Sequence, residues 1–419
     1  MEMKRAFDII VIGGGAAGML SAGFAAGRGA KVLLLEKNDK PGKKLRITGK
    51  GRCNLTNDCP TPDILDNIPT GGRFLQGALN RFSPRDAMAL FESLGVPLKT
   101  ERGERVFPAS DKASDVVDAL VRYMEKTGVT LKRCKALEIG AIDGNVASVG
   151  TSVGTFECRA AILAAGGLTY PGTGSTGDGY AMAAAHGHKI TPLRGSLVPL
   201  EAEPALCSRM QGLTLKNVRM AVYDGGKKPV FEDFGELLFT HFGLSGPLTL
   251  SASAKMREFD TRKYHALIDL KPALDEKKLD LRILRDFEKY SNRDFSNALG
   301  DLLNRLMIPV IVERSGIPPD AKVHSVTREK RQGLIRCIKA FRVDIDGPRP
   351  VEEAIITSGG VALDGINPKT MESKLLRGLY FAGEVIDADA YTGGFNLQIA
   401  WSTAHTAAQA ACAMVGSID

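Results

Sequence analysis

Phe7-Asp8-Ile9-Ile10-Val11-Ile12-Gly13-Gly14-Gly15-Ala16-Ala17-Gly18, followed by Lys31-Val32-Leu33-Leu34-Leu35-Glu36, is the stretch that decides the fold of this chain. An apolar run, a G-x-G-x-x-G turn, an alanine-rich segment and a second apolar run ending in an acid spell strand, turn, helix and strand. The pattern predicts a dinucleotide site. Gly13 permits the tight strand-to-helix turn, Gly15 leaves room for a pyrophosphate, and Gly18 lets helix and strand pack closely. The pyrophosphate is expected on the free N–H groups and positive dipole end of the helix that opens at Ala16 and Ala17. Glu36 is expected to accept hydrogen bonds from ribose hydroxyls. An acid there disfavours a ribose 2′-phosphate, which points to FAD or NAD rather than NADP.

With 419 residues the chain is large for one core, so two or three domains are expected. The 55 basic and 48 acidic residues leave a net charge of +7, a small surplus that suits anionic ligands and does not argue for nucleic acid. The seven cysteines are scattered and contain no C-x-x-C pair. That usage fits a reduced, cytoplasmic setting without structural disulfides or a metal site, and Cys53 and Cys59 are spaced too widely for a tight redox motif. The apolar residues 9–26 belong to the glycine fingerprint rather than to a signal peptide. No other segment approaches the ~20 apolar residues that span a bilayer, so no membrane partner is expected.

Residues 37–52 are basic and glycine-rich, with Lys37, Lys40, Lys43, Lys44, Arg46, Lys50 and Arg52 against one acid, Asp39. They are expected to form a loop along the bound dinucleotide, with Lys37 and Lys44 among its contacts. Helical patterns cover 84–94 and 113–127. Alternating strands follow over 129–158 around the turn Asp143-Gly144-Asn145, with Ala136 a further candidate contact. The small-residue run 160–167 predicts a buried strand that brings Ala165 and Gly166 back beside the cofactor. A second glycine cluster, 172–179, lacks a following strand and acid, so it is expected to line the same cofactor or cap a helix. Residues 191–346 differ in texture, with strand-like runs at 215–223 and 264–270 and a charged helical stretch over 275–314. Leu299, Leu302, Leu303 and Leu306 there have the spacing of one buried helix face. Near the end, a strand over 378–382 runs into Gly383-Glu384. Gly393-Gly394-Phe395-Asn396-Leu397-Gln398 then opens an alanine-rich helix. This return is a second contact point on a long ligand, which FAD needs and NAD does not.

The chain resembles, along nearly its whole length, the bacterial FAD-dependent flavoproteins that include aminoacetone-oxidase-like and BaiN-like bile-acid-reductase-like members. The fingerprint carries this resemblance together with Ile47-Thr48-Gly49-Lys50-Gly51-Arg52-Cys53-Asn54-Leu55-Thr56-Asn57, Phe239-Thr240-His241-Phe242-Gly243-Leu244-Ser245-Gly246-Pro247, Thr357-Ser358-Gly359-Gly360-Val361 and residues 381–400. It implies an α/β fold: a glutathione-reductase-type FAD domain of the Rossmann kind built from 1–190 and 347–419, around an inserted β-barrel substrate domain at 191–346. A small helical unit at about 275–335 completes the insert. It further implies that Glu384 holds the ribityl chain, that Gly51, Arg52, Cys53 and Asn54 lie near the flavin, and that the backbone from Phe395 through Asn396 and Leu397 to Gln398 faces its pyrimidine side.

The expected chemistry is hydride transfer between a small organic substrate and flavin N5, with the cofactor carrying the hard step. Arg52, Tyr170 and His241 are the catalytic candidates, and Tyr391 is expected at the rim. Two directions stay open: oxidation of an amine, or reduction of an enone-type acceptor by a flavin that a transiently bound NAD(P)H has reduced. No nucleic-acid partner is expected, although a flavin-containing RNA-modifying protein is an alternative from a different class.

Overall fold

The computed structural model describes residues 7–416. Strands β1 (Ile9–Ile12) and β2 (Val32–Glu36) are buried along their whole length, as strands covered on both faces of a parallel sheet must be. Helix α1 (Ala16–Ala26) lies between them in sequence, and its alanines and glycines let neighbours approach closely. A hairpin of β3 (Leu98–Glu101) and β4 (Arg105–Pro108) follows, then α2 (Ala113–Thr127) and β5 (Thr130–Arg133). Strands β6 (Ala136–Ile142), β7 (Asn145–Thr151) and β8 (Gly154–Glu157) form an antiparallel meander. Its first turn is held by Asp143 and Gly144 at φ 51° and 73°, the left-handed pair that a two-residue hairpin loop demands. Strand β9 (Ala160–Leu163) then returns beside β1.

The chain divides into two compact units, the residues up to Ser196 with those from Val351 onward, and Leu197–Pro350. The second unit is a closed antiparallel barrel of β10 (Leu200–Ala202), β11 (Thr214–Tyr223), β12 (Phe231–Phe239), β13 (Gly243–Ser245), β14 (Tyr264–Asp269) and, later in the chain, β15 (Phe341–Pro348). Its helical part is α3 (Glu276–Lys289), α4 (Ile308–Ser315) and α5 (Arg328–Lys339). The first unit is completed from the far end of the chain by β16 (Leu379–Phe381) and α6 (Phe395–Gly416). Its parallel sheet runs β16-β9-β1-β2-β5, and α6 packs along α1. An α/β sheet of the Rossmann kind and a barrel are therefore both present, as the sequence predicts.

Two local expectations fail. The leucines at 299–306 do not form a helix: Leu299, Leu302 and Leu303 are buried from consecutive turns, and Leu306 is 45% exposed. Asn297, Gly300, Asp301 and Asn304 prefer turn conformations, and they outweigh the leucine spacing. The basic stretch after Glu36 is not all loop either, because Lys43–Ile47 is a short helix and Thr48–Gly51 a 3-10 turn.

Candidate functional site

The glycine turn is built by close approaches. A Cβ on Gly13, which sits at φ 102°, would stand 2.6 Å from the Ala164 carbonyl oxygen, so Gly13 lets β9 run out beside the turn. A Cβ on Gly18 would stand 1.8 Å from the Gly13 oxygen, which seats the first turn of α1 on the end of β1. Gly15 differs. A Cβ there would meet no protein atom within 4 Å, and φ is −81°, so no neighbour or backbone strain requires this glycine. Open space at Gly15 lies where the first amides of α1 at Ala16 and Ala17 have no acceptor within the helix, a ready anion site.

Glu36 is buried, and its carboxylate organises the turn. One oxygen accepts from the Gly14 amide at 2.8 Å, the other from the Asn38 amide and side-chain amide at 2.7 and 2.8 Å. A carboxylate has about four lone-pair positions, so capacity for a further donor is left. Asn38, which sequence reasoning missed, also donates to the Thr173 carbonyl at 3.0 Å, tying the acid to the second glycine cluster. That cluster caps a helix, Asp178–Ala184, through left-handed Gly177.

Several basic residues after Glu36 are spoken for by carboxylates: Lys37 pairs with Asp178 at 2.6 Å, Arg46 with Asp118 and Lys44 with Glu384 at 2.6 Å, all distant in sequence, and Lys43 pairs locally with Asp39. The Lys44 ammonium also donates to Thr169 at 2.7 Å, and the Thr357 amide donates to Glu384 at 2.9 Å. Gly383, at φ 73°, would place a Cβ 2.8 Å from Ala17, so the return segment lies against the first turn of α1. Ala165 and left-handed Gly166 leave β9 beside the same turn, whereas Ala136 is buried at the start of the meander.

Residues 53–57 and the start of α6 form one body. Asn57 donates to the Gly393 carbonyl at 3.1 Å, and Thr56 to Gln398 Oε1 at 2.6 Å. Trp401 donates to the Leu55 carbonyl at 2.9 Å. The fully buried Gln398 amide also donates to the Phe82 carbonyl and to Ser402, so its side chain is consumed inside the protein, and its backbone N–H donates to the Gly394 carbonyl at 3.1 Å. Asn396 is occupied likewise, holding the backbone of Ala390. Phe395 and Leu397 flank it in the first turn, whose amides have no acceptor within the helix. Cys53 is fully buried, and burial pushes its thiol up to about 12; Cys59 rises to about 11 for the same reason. Neither is a thiolate near neutral pH. Asn54 Oδ1 is buried and has no hydrogen-bond partner, the condition of a group awaiting a ligand.

Of the catalytic candidates, Arg52 is engaged by Glu101 and Asp111. Tyr170 is half-buried and left-handed at φ 54°, at the head of the turn Pro171–Thr173. His241 is exposed in the second unit, edge-on to Phe242. Tyr391 is half-buried and donates its amide to the Asn67 carbonyl. Asp389, fully buried and accepting from Ser196 and Ser358, gave no sequence signal.

A family model described as the HI0933-like protein Rossmann domain matches residues 7–410. The chain belongs to this family. Among its HI0933-like relatives is a ribosomal RNA dihydrouridine synthase of Escherichia coli (strain K12), 33% identical over 410 residues, covering 97% of this chain and 98% of that protein. Another is a 3-dehydro-bile acid delta(4,6)-reductase of Clostridium scindens, 29% identical over 409 residues, covering 96% and 98%. The second accords with the resemblance seen in the sequence. Among solved structures, 3-ketosteroid delta1-dehydrogenase from Sterolibacterium denitrificans superposes with a TM-score of 0.54 at 13% identity, covering 97% of this chain and 99% of that one. At that identity the likeness speaks for the fold alone.

Proposed function

We propose that the chain is a FAD-dependent oxidoreductase that adds hydrogen across a carbon–carbon double bond conjugated to a carbonyl. The observation that carries the cofactor assignment is the pairing of open space at Gly15 with a return segment that sets Gly383 against the same helix turn. A long ligand with a pyrophosphate at one end and a ring system at the other suits that arrangement, and the orphaned Asn54 Oδ1 suits the ring end. The amides at the start of α1 would hold the pyrophosphate, and Glu36 the ribose hydroxyls. The first turn of α6 offers a positive helix end to the ring, which favours electron acceptance.

FAD held by these groups would supply the hydride chemistry for the β-carbon of such an acceptor, with a nicotinamide as the reductant. The chain must then bring a proton to the α-carbon, and Tyr170 Oη is the candidate donor in the first unit. The reductive direction is favoured over amine oxidation because two relatives carry names for one kind of chemistry. Dihydrouridine is uridine hydrogenated at a carbonyl-conjugated bond, and a delta(4,6)-reductase hydrogenates a conjugated dienone. These names also bring nucleic acid back as a partner. The uracil base in RNA is the preferred substrate, because the relative named for it has the higher identity, 33% against 29%. A steroid-like enone is the second reading, favoured by the bile-acid relative.

The test is anaerobic reduction of the yellow protein with NADH or NADPH, then mixing with a uridine-containing ribosomal RNA transcript or a 3-keto-4-ene steroid. Flavin reoxidation with a mass gain of two hydrogens in the RNA is the expected result. Reoxidation by the steroid alone would replace the RNA reading with the second. Reoxidation by neither, with rapid reduction by amines, would overturn the proposed direction.

A further inference from the structure

The loop between the short helix at Lys43–Ile47 and the strand at Thr56 is strained. Gly49, Lys50, Gly51 and Cys53 are all left-handed, at φ 57°, 58°, 82° and 59°. Left-handed non-glycine residues are sterically costly and persist only where the surroundings over-determine them. Arg52, inside this run, supplies the constraint. Its Nε donates to Asp111 Oδ1 at 2.8 Å, and a terminal nitrogen reaches Glu101 at 2.5 Å and Asp111 at 2.6 Å. The guanidinium also stacks on Phe107, 4.2 Å from the ring centre. Lys99 closes the cluster, 2.6 Å from Asp111 and 3.6 Å from Glu101. Glu101 and Phe107 stand on the β3–β4 hairpin, so a rigid element grips the loop from outside. On the other side the Cys53 amide donates to the Thr48 carbonyl at 3.0 Å, and the unpartnered Asn54 Oδ1 follows immediately.

We propose that Arg52 is a positioning residue: with Lys99, Glu101 and Asp111 it forms a four-charge clasp that holds the Thr48–Asn54 loop in its left-handed path and so keeps Asn54 Oδ1 fixed to accept a ring N–H of the ligand. The proposal rests on the FAD reading for the ligand's identity, but not for the clasp. A guanidinium held by two carboxylates and a ring face has its donors committed and is a poor proton donor. The chemistry it serves is therefore orientation of the cofactor, and the electrostatic balance of two cations with two anions leaves the site little altered in net charge.

The test compares Glu101→Gln/Asp111→Asn, which keeps shape and removes the grip, with Arg52→Lys and with Lys99→Gln. In the apoprotein, amide hydrogen exchange over residues 48–54 is expected to accelerate at least about tenfold in the double variant, and less in Lys99→Gln. In the holoprotein, FAD occupancy is retained because the pyrophosphate cradle is untouched, while the flavin absorption band shifts and kcat falls more than KM rises. Unchanged exchange in the double variant would overturn the clasp. So would a normal double variant beside an inactive Arg52→Lys, which would make Arg52 a direct contact. A wild-type protein that binds no flavin would sink the cofactor reading instead, and the apoprotein exchange would still decide the clasp.

Discussion

Gly15 and Gly18 separate binding from folding. Gly18→Ala drives a methyl into the Gly13 carbonyl and should destabilise the apoprotein by of order 1–3 kcal/mol, the range for overpacking a tight contact. A Cβ at Gly15 meets no protein atom within 4 Å, so the Gly15→Val apoprotein should melt close to wild type in calorimetry while its FAD occupancy falls to nothing. Full occupancy in that variant would show the amino-terminal site to be misassigned. Glu36→Ala strips the acceptor from the Gly14 amide and should cost the apoprotein roughly 1–3 kcal/mol, with a comparable loss in FAD affinity. Asp178 supplies a pH signature. Burial opposes its ionisation, but hydrogen bonds from Lys37, Lys135 and Thr176 prevail and hold it at about 2. A depressed carboxylate contributes stability that is complete above its unfolded value near 4 and is lost as pH falls toward 2. Thermal melts should therefore show Asp178→Asn flattening the acid side of the stability profile over that window.

At the scale of elements, α6 is anchored as well as packed. Gln398 links its first turn to Thr56 and to the Phe82 carbonyl, both remote in sequence. Gln398→Leu retains the apolar packing and abandons these buried polar groups, for which about 1–3 kcal/mol is the usual cost. Denaturant titration should find that loss, and hydrogen exchange should find it concentrated at residues 53–57 and 395–402. A loss spread evenly over the chain would contradict the anchoring role. The hairpin β3–β4 acts similarly on the opposite side of that loop, through charge rather than burial.

The whole molecule is discontinuous, since β16 and α6 complete a sheet and helix layer begun at the amino terminus. A chain stopped near Asp346 keeps the entire glycine fingerprint but lacks the edge strand, the partner of α1 and the Gly383 contact. It should fail to hold flavin. Excision of 197–350 should have the opposite outcome. Arg194–Ser196 pairs antiparallel with Ile356–Ser358, so Ser196 and Val351 can be joined by a short glycine linker as a hairpin loop. The first unit has its own hydrophobic core, and the joined chain should fold and bind FAD while losing turnover. Flavin titration of both chains checks the pair, and a truncated chain that bound FAD at full affinity would reduce the carboxy-terminal return to a structural cap.

By itself the sequence determined the features whose signals are local. Alternation of apolar runs with a glycine turn specified β1, α1 and β2, Asp143-Gly144 specified a hairpin, and Gly383 and Gly393-Gly394 marked backbone turns at positive φ in the returning segment. A backbone dihedral or a periodicity depends on a few neighbours, so it is legible in a few residues. Which charge meets which was not legible. The basic run after Glu36 carries no sign of its partners, and Asp178, Asp118 and Glu384 claim Lys37, Arg46 and Lys44 from up to 340 positions away. The leucines at 299–306 carried a helical period that turn-forming neighbours overrode, and Gln398, Asn38 and Asp389 acquired their roles only when distant segments met. Ion pairs and buried hydrogen bonds are made between groups brought together by folding, and long-range contact, not local preference, decided them.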